Sequence, residues 1–80
     1  MTKRDNLAIV LQDNIVAIGL TDDTKKLFHV RLLTTVLKMV QSGRSKYAIV
    51  TELNRQSNKC GRDLVPVVIE VYELVRQEEF

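Results

Sequence analysis

The sequence predicts a small all-α domain of three or four helices that assembles as a helical homodimer. Three observations carry this expectation. Apolar residues recur at i, i+3, i+4 and i+7 over two long stretches, the pattern of helices with a buried face. Three glycines and one proline are too few for a small all-β fold, which needs a turn every ~8–12 residues. Ser, Thr or Asp stands just ahead of three apolar runs, where a helix start needs a side-chain oxygen. Residues 1–80 make a single domain. A chain this short buries only roughly 60–65% of its unfolded surface. A partner subunit is a common remedy, and the lone Cys60 cannot form an intrachain disulfide.

Residues 6–20 read two ways. Leu7, Val10, Leu11, Ile15 and Ile18 share one helical face. The same stretch also holds two β-branched runs, "LAIV" and "IVAIGL", around Asp13-Asn14. Helix is favoured because Asp-Asn is a weaker hairpin signal than Asn-Gly. Gly19 would then end it.

Residues 22–42 are a clearer helix. Thr21 or an adjacent Asp can cap it, and Asp22 and Asp23 place negative charge at the positive end of its dipole. Leu27, Val30, Leu33, Val36, Leu37 and Val40 keep the helical spacing, with Gly43 as the stop. Phe28, Leu32 and Met39 widen the apolar face enough to touch more than one neighbour.

Ser45 caps a short helix over residues 46–56, whose apolar face is Ile49, Val50 and Leu53; "SNKCG" is expected to break it. The last helix, residues 64–78, takes Asp63 as its cap and carries Pro66 in the first turn, where a missing N–H costs little. Leu64, Val67, Val68, Val71, Leu74 and Val75 form its core face. So many β-branched residues are poor helix formers, so tertiary burial must hold this helix. Val65, Ile69 and Tyr72 form a second strip, the candidate dimer face.

Charge is uneven. Residues 43–62 carry Arg44, Lys46, Arg55, Lys59 and Arg62 against Glu52, a net of +4. Residues 63–80 carry Asp63, Glu70, Glu73, Glu78 and Glu79 against Arg76, a net of −4. The five cations are the candidate nucleic-acid or partner-binding residues. Several cations on one surface can neutralise phosphates, and Asn54, Gln56 and Asn58 could touch base edges. A long helix, the turn "SGRS" and a short polar-faced helix also have the order of a helix-turn-helix unit. Two plainer accounts compete: a solvated helix face, and pairing of the basic and acidic segments with each other.

Catalysis has little support. His29 sits in a helix without a partner, and Cys60 lies near Lys59 and Arg62 with no histidine or second cysteine beside it. Asp22/Asp23 and Glu78/Glu79 read as helix-start charge and a solvated tail. The three glycines are isolated, so no phosphate loop is present. No enzyme, cofactor or metal is expected. The opening "MTKRDNLAIVL" has too short an apolar run for a signal peptide, and no stretch nears the ~20 apolar residues of a membrane span. The expected setting is cytoplasmic, without a membrane partner.

"LLTTVLKMVQSG", then "YAIVTELNRQ", then a polar turn leading into "LVPVVIEVYELV", resembles the enterobacterial YmgB/AriR family over residues 27–75. These are small helical regulators connected with biofilm formation, acid resistance and two-component signalling. The resemblance implies a dimeric all-α protein that acts through protein partners or DNA, without catalysis. The expected function is therefore that of a small regulator working by protein–protein interaction through an apolar helix face. The alternative is a DNA-binding transcriptional regulator using residues 44–62.

Overall fold

A computed structural model describes residues 2–78. They form four α-helices: α1 (Lys3–Ile18), α2 (Thr24–Gln41), α3 (Lys46–Lys59) and α4 (Val65–Gln77). A 3-10 turn, Arg62–Leu64, leads into α4, and there is no strand among the described residues.

α1 is a helix and not a hairpin, for two local reasons. The Thr2 hydroxyl accepts the Asp5 N–H at 3.1 Å, and the Asp5 carboxylate accepts the Thr2 N–H at 3.1 Å, so two orphan donors are satisfied reciprocally. Asn14, a turn residue in the hairpin alternative, instead donates its side-chain amide to the Val10 carbonyl at 2.8 Å. Gly19 ends the helix at φ +70°, a conformation that disfavours any side chain.

α2 is capped by Asp23, whose carboxylate accepts the Lys26 N–H at 3.1 Å. It ends in a Schellman motif: the N–H of Arg44 reaches the Met39 carbonyl at 3.0 Å and that of Gly43 reaches Val40 at 3.1 Å. Gly43, at φ +80°, makes this closure cheap. Ser45 caps α3 by accepting the Ala48 N–H at 3.1 Å.

Two expected boundaries are corrected. α3 runs to Lys59, three residues past the expected end at 56, so Lys59 belongs to the helix and not to the following turn. Ser57 and Asn58 are only mediocre helix formers and do not force a break. Asp63 does not cap α4. It lies inside the 3-10 turn, Leu64 takes the cap position with no side-chain bond, and the Leu64 N–H is satisfied by Gly61 at 3.0 Å. Pro66 stands in the first turn of α4 as expected.

Two cations set the topology. Nη1 of Arg4, in the first turn of α1, donates to the carbonyls of Val40 (3.2 Å), in the last turn of α2, and Arg44 (2.8 Å), in the turn that follows it. Nζ of Lys46, the first residue of α3, donates to the carbonyls of Arg76 (3.2 Å) and Glu78 (2.9 Å) at the far end of α4. Start meets end in both cases, so α1–α2 and α3–α4 are antiparallel hairpins. Each cation sits where the helix dipole is negative and carbonyls lack intrahelical donors. α2 also packs on α4, joining the hairpins.

One apolar cluster lies between them. Leu7 and Leu11 of α1, Leu32, Leu33, Val36 and Val40 of α2, Ile49 and Leu53 of α3, and Val68, Val71 and Val75 of α4 are buried in it. Phe28, Leu37, Met39, Tyr72 and Leu74 pack around its edge. Leu27, expected on the buried stripe of α2, is exposed instead.

Arg4→Met should lower unfolding stability by about 1–2 kcal/mol, the scale of charge-assisted bonds in a partly exposed setting, read from the urea midpoint. The Asp5 carboxyl is held below its ordinary value of 3.8, first by the Thr2 backbone N–H and then by its hydroxyl. Its folded pKa is depressed, so its contribution is complete above 3.8 and is lost as pH falls below that value through the folded pKa. Midpoints measured between about pH 5 and pH 2 should therefore converge for wild type and Asp5→Asn at the acid end.

Candidate interaction surfaces

The helical period sorts α3 into two faces. Ile49 and Leu53 are buried, and Lys46, three residues before Ile49, lies on the same side. That position aims its ammonium at the end of α4. The opposite side presents Tyr47, Thr51, Asn54, Arg55, Asn58 and Lys59, all exposed. Tyr47 is 81% exposed, which makes it an outlying aromatic and no part of the core.

The five candidate cations therefore do not form one patch. α3 has 14 residues and spans about 21 Å. Arg44 and Lys46 stand at its start; Arg55, Lys59 and Arg62 gather at and beyond its end. Lys46 is committed to the α4 carbonyls. Arg55 is committed to Glu52, with Nη2–Oε1 at 2.7 Å and Nε–Oε2 at 3.0 Å. Gln56 donates to the same carboxylate at 3.0 Å. These contacts, Arg55 first, hold the Glu52 carboxyl below its ordinary range and raise Arg55 above its own. Arg44, Lys59 and Arg62 are exposed cations.

The basic segment reaches the acidic one at Lys46, whose ammonium donates to the Arg76 and Glu78 carbonyls. The Arg55–Glu52 and Arg76–Glu73 pairs each stay within one segment. Glu79 of the acidic segment lies outside the described residues.

The candidate dimer face on α4 is graded. Ile69 is 54% exposed, while Val65 and Tyr72 are half-buried on one flank, Tyr72 packing against the core. The Arg76–Glu73 pair, 3.0 Å, lies on the same outward side and supplies a polar border.

A third surface lies on α1. Ile9 and Val16 point away from the buried Leu7 and Leu11, and Leu20, just past the helix, is fully exposed. The "LAIV" and "IVAIGL" runs contain these residues. Assigning one face to the core left the other face without a role, and that second apolar side was the available signal.

His29 is half-buried in α2. The Cys60 thiol is half-buried against the core and donates to the Ser57 carbonyl at 3.6 Å. Among the described residues, no group of three or more His, Cys, Asp or Glu side chains is placed to hold a metal ion, and no cavity is present. No helix among them is long and apolar enough to cross a membrane.

No family model, no curated protein and no solved structure matches this chain.

The division of labour among the cations is testable by stability alone. Lys46→Met should cost about 1–2 kcal/mol, because carbonyls at the end of α4 lose their donor. Lys59→Ala and Arg62→Ala should stay within about 0.5 kcal/mol of wild type. Urea titrations of the three variants compare them directly.

Proposed function

We propose that the protein is a small non-enzymatic regulator that acts by protein–protein interaction through the apolar strip of α4, as a homodimer and toward a regulatory protein partner. The observation that carries this is Ile69, more than half exposed on an otherwise well-packed helix. Val65 and Tyr72 beside it and the Glu73–Arg76 pair at the border give the strip an apolar centre with a polar rim, the anatomy of protein interfaces. The residues that resemble the YmgB/AriR family include this strip, and the resemblance implies the same kind of dimeric regulator, connected with biofilm formation.

A second reading, DNA binding, is favoured by the outward side of α3. Asn54 and Asn58 lie there between Tyr47 and Lys59, with Arg62 beyond and no acid on the strip itself. A duplex major groove about 12 Å wide admits such a helix, and asparagine amides match adenine edges. The mild net charge of +2 and the engagement of Arg55 by Glu52 weigh against it as the main role.

Sedimentation of wild type at micromolar concentration should give twice the monomer mass, and Ile69→Lys should give the monomer with unchanged circular dichroism. A monomeric wild type would remove the homodimer. For DNA, a mobility shift at low salt that disappears in Lys59→Glu with Arg62→Glu would establish the second reading. Absence of any shift in wild type would end it.

A further inference from the structure

The positive charge of this chain is concentrated in α2 and the turn that follows it. Residues 24–51 carry Lys25, Lys26, Arg31, Lys38, Arg44 and Lys46 and no acid, a net of +6. Residues 1–23 carry two cations against four acids, and residues 52–80 carry four against six, a net of −2 each. The mild overall charge of +2 therefore hides a strong asymmetry, of the kind that marks a surface for polyanions.

Folding spreads these cations along α2 without burying or pairing them. Lys25 and Lys26 lie in its first turn. Arg31 and Lys38, seven residues apart, share the side opposite the buried Leu33, Val36 and Val40. Arg44 stands just past the end of the helix. All five are exposed, and none forms an ion pair with a described residue. Lys46, the sixth, is turned to α4. Along α2, steps of five to seven residues set a positive charge about every 8–10 Å. Lys25 and Lys26 stand where the helix dipole is positive and favours acids, so helix stability does not account for them.

Charge and the lack of an apolar centre select the occupant. A two-fold axis that laid a second copy on this side would bring cations onto cations, whether the helices ran parallel or antiparallel, because every charge on it is positive. The outer side of α4 in a second copy would bring Glu70 and Glu73, but Glu73 is engaged by Arg76 within its own helix. Leu27 is the one large apolar side chain exposed on α2. That is too little for a helix lying on a membrane, which buries an apolar face. It is also too little for the apolar centre of a protein interface. Interfaces with nucleic acid are instead polar and strongly positive. A duplex offers unbroken negative charge, one phosphate per ~1.7 Å of axis, so a row of cations finds partners along its whole length.

We propose that the outer side of α2 binds the phosphate backbone of a nucleic-acid duplex without regard to sequence. Arg31 and Lys38 contact phosphates, with Lys25 and Lys26 at one end of the row and Arg44 at the other. Base reading by α3 uses other residues, Asn54, Asn58, Lys59 and Arg62, and this proposal stands without it.

The test is fluorescence anisotropy of labelled duplexes of about 20 base pairs with the full chain at low salt. Wild type should bind, with log affinity falling against log salt at a slope of about −3 to −5. Arg31→Gln with Lys38→Gln should weaken binding at least about tenfold and make the slope shallower by about 2. Lys59→Gln with Arg62→Gln removes the same charge and should leave the slope within about 0.5 of wild type. Duplexes of unrelated sequence should agree within about threefold. A DNA and an RNA duplex run side by side show which one supplies the backbone. Polyglutamate and anionic lipid vesicles should compete poorly. Circular dichroism confirms that each variant is folded. Absence of binding, equal losses in the two paired variants, or better competition by polyglutamate or vesicles than by unlabelled duplex would overturn the proposal. So would a loss confined to the Lys59 and Arg62 variant, which would support base reading by α3 instead. Self-association of wild type that Arg31→Gln with Lys38→Gln removes would also overturn it, since a second copy would then be the occupant.

Discussion

Cations on the carbonyl ends of helices organise this fold. An α-helix leaves its last carbonyls without intrahelical donors and concentrates negative potential there. Arg4 supplies donors to the end of α2, and Lys46 supplies them to the end of α4. Both cations lie in the first turn of the preceding helix, so each bond also fixes an antiparallel pairing. Short connections alone favour antiparallel neighbours without fixing their register. Together with the packing of α2 on α4, the two clamps bring apolar residues of all four helices into one cluster. Everything outward-facing on α1, α3 and α4 follows from that arrangement.

Much of this was legible in the sequence, and the exceptions have physical causes. α2 and α4 announce themselves by period, and their expected core positions Leu33, Val36, Val40, Val67, Val68, Val71 and Val75 are buried. Ser45 and Gly43 act as the cap and the stop their chemistry suits. The helix-or-hairpin choice over residues 6–20 turns partly on residues outside that window. Thr2 and Asp5 form the capping box, and starting at Asn6 leaves it out of view. Asp63 is a good cap by type, but a 3-10 turn offers the backbone another way to satisfy the Leu64 N–H. Composition cannot distinguish the two.

The candidate surfaces are harder to see because charge counts ignore direction. Arg44, Lys46, Arg55, Lys59 and Arg62 form one group along the chain. In space Lys46 turns inward to α4 and Arg55 closes on Glu52. The spacing of Lys46 with Ile49 and Leu53 placed it on the core side, so its separate role was available from the helical wheel. Val65, Ile69 and Tyr72 do lie on one strip, with Ile69 the most exposed. One good buried face already accounts for the helical spacing of α1, so that spacing gives the outward apolar residues no separate signal. In a domain this small the core cannot absorb every apolar side chain, and the remainder includes the α4 strip where function is proposed.

The claim on which the rest depends is that the cationic clamps hold each hairpin at its open end. Native-state amide hydrogen exchange on wild type and Lys46→Met tests it most directly, because exchange reports opening residue by residue. Amides in the last turn of α4 and the first turn of α3 should lose protection, while those of α1 and α2 keep theirs. Unchanged protection at the end of α4, or a uniform loss across all four helices, would contradict the account.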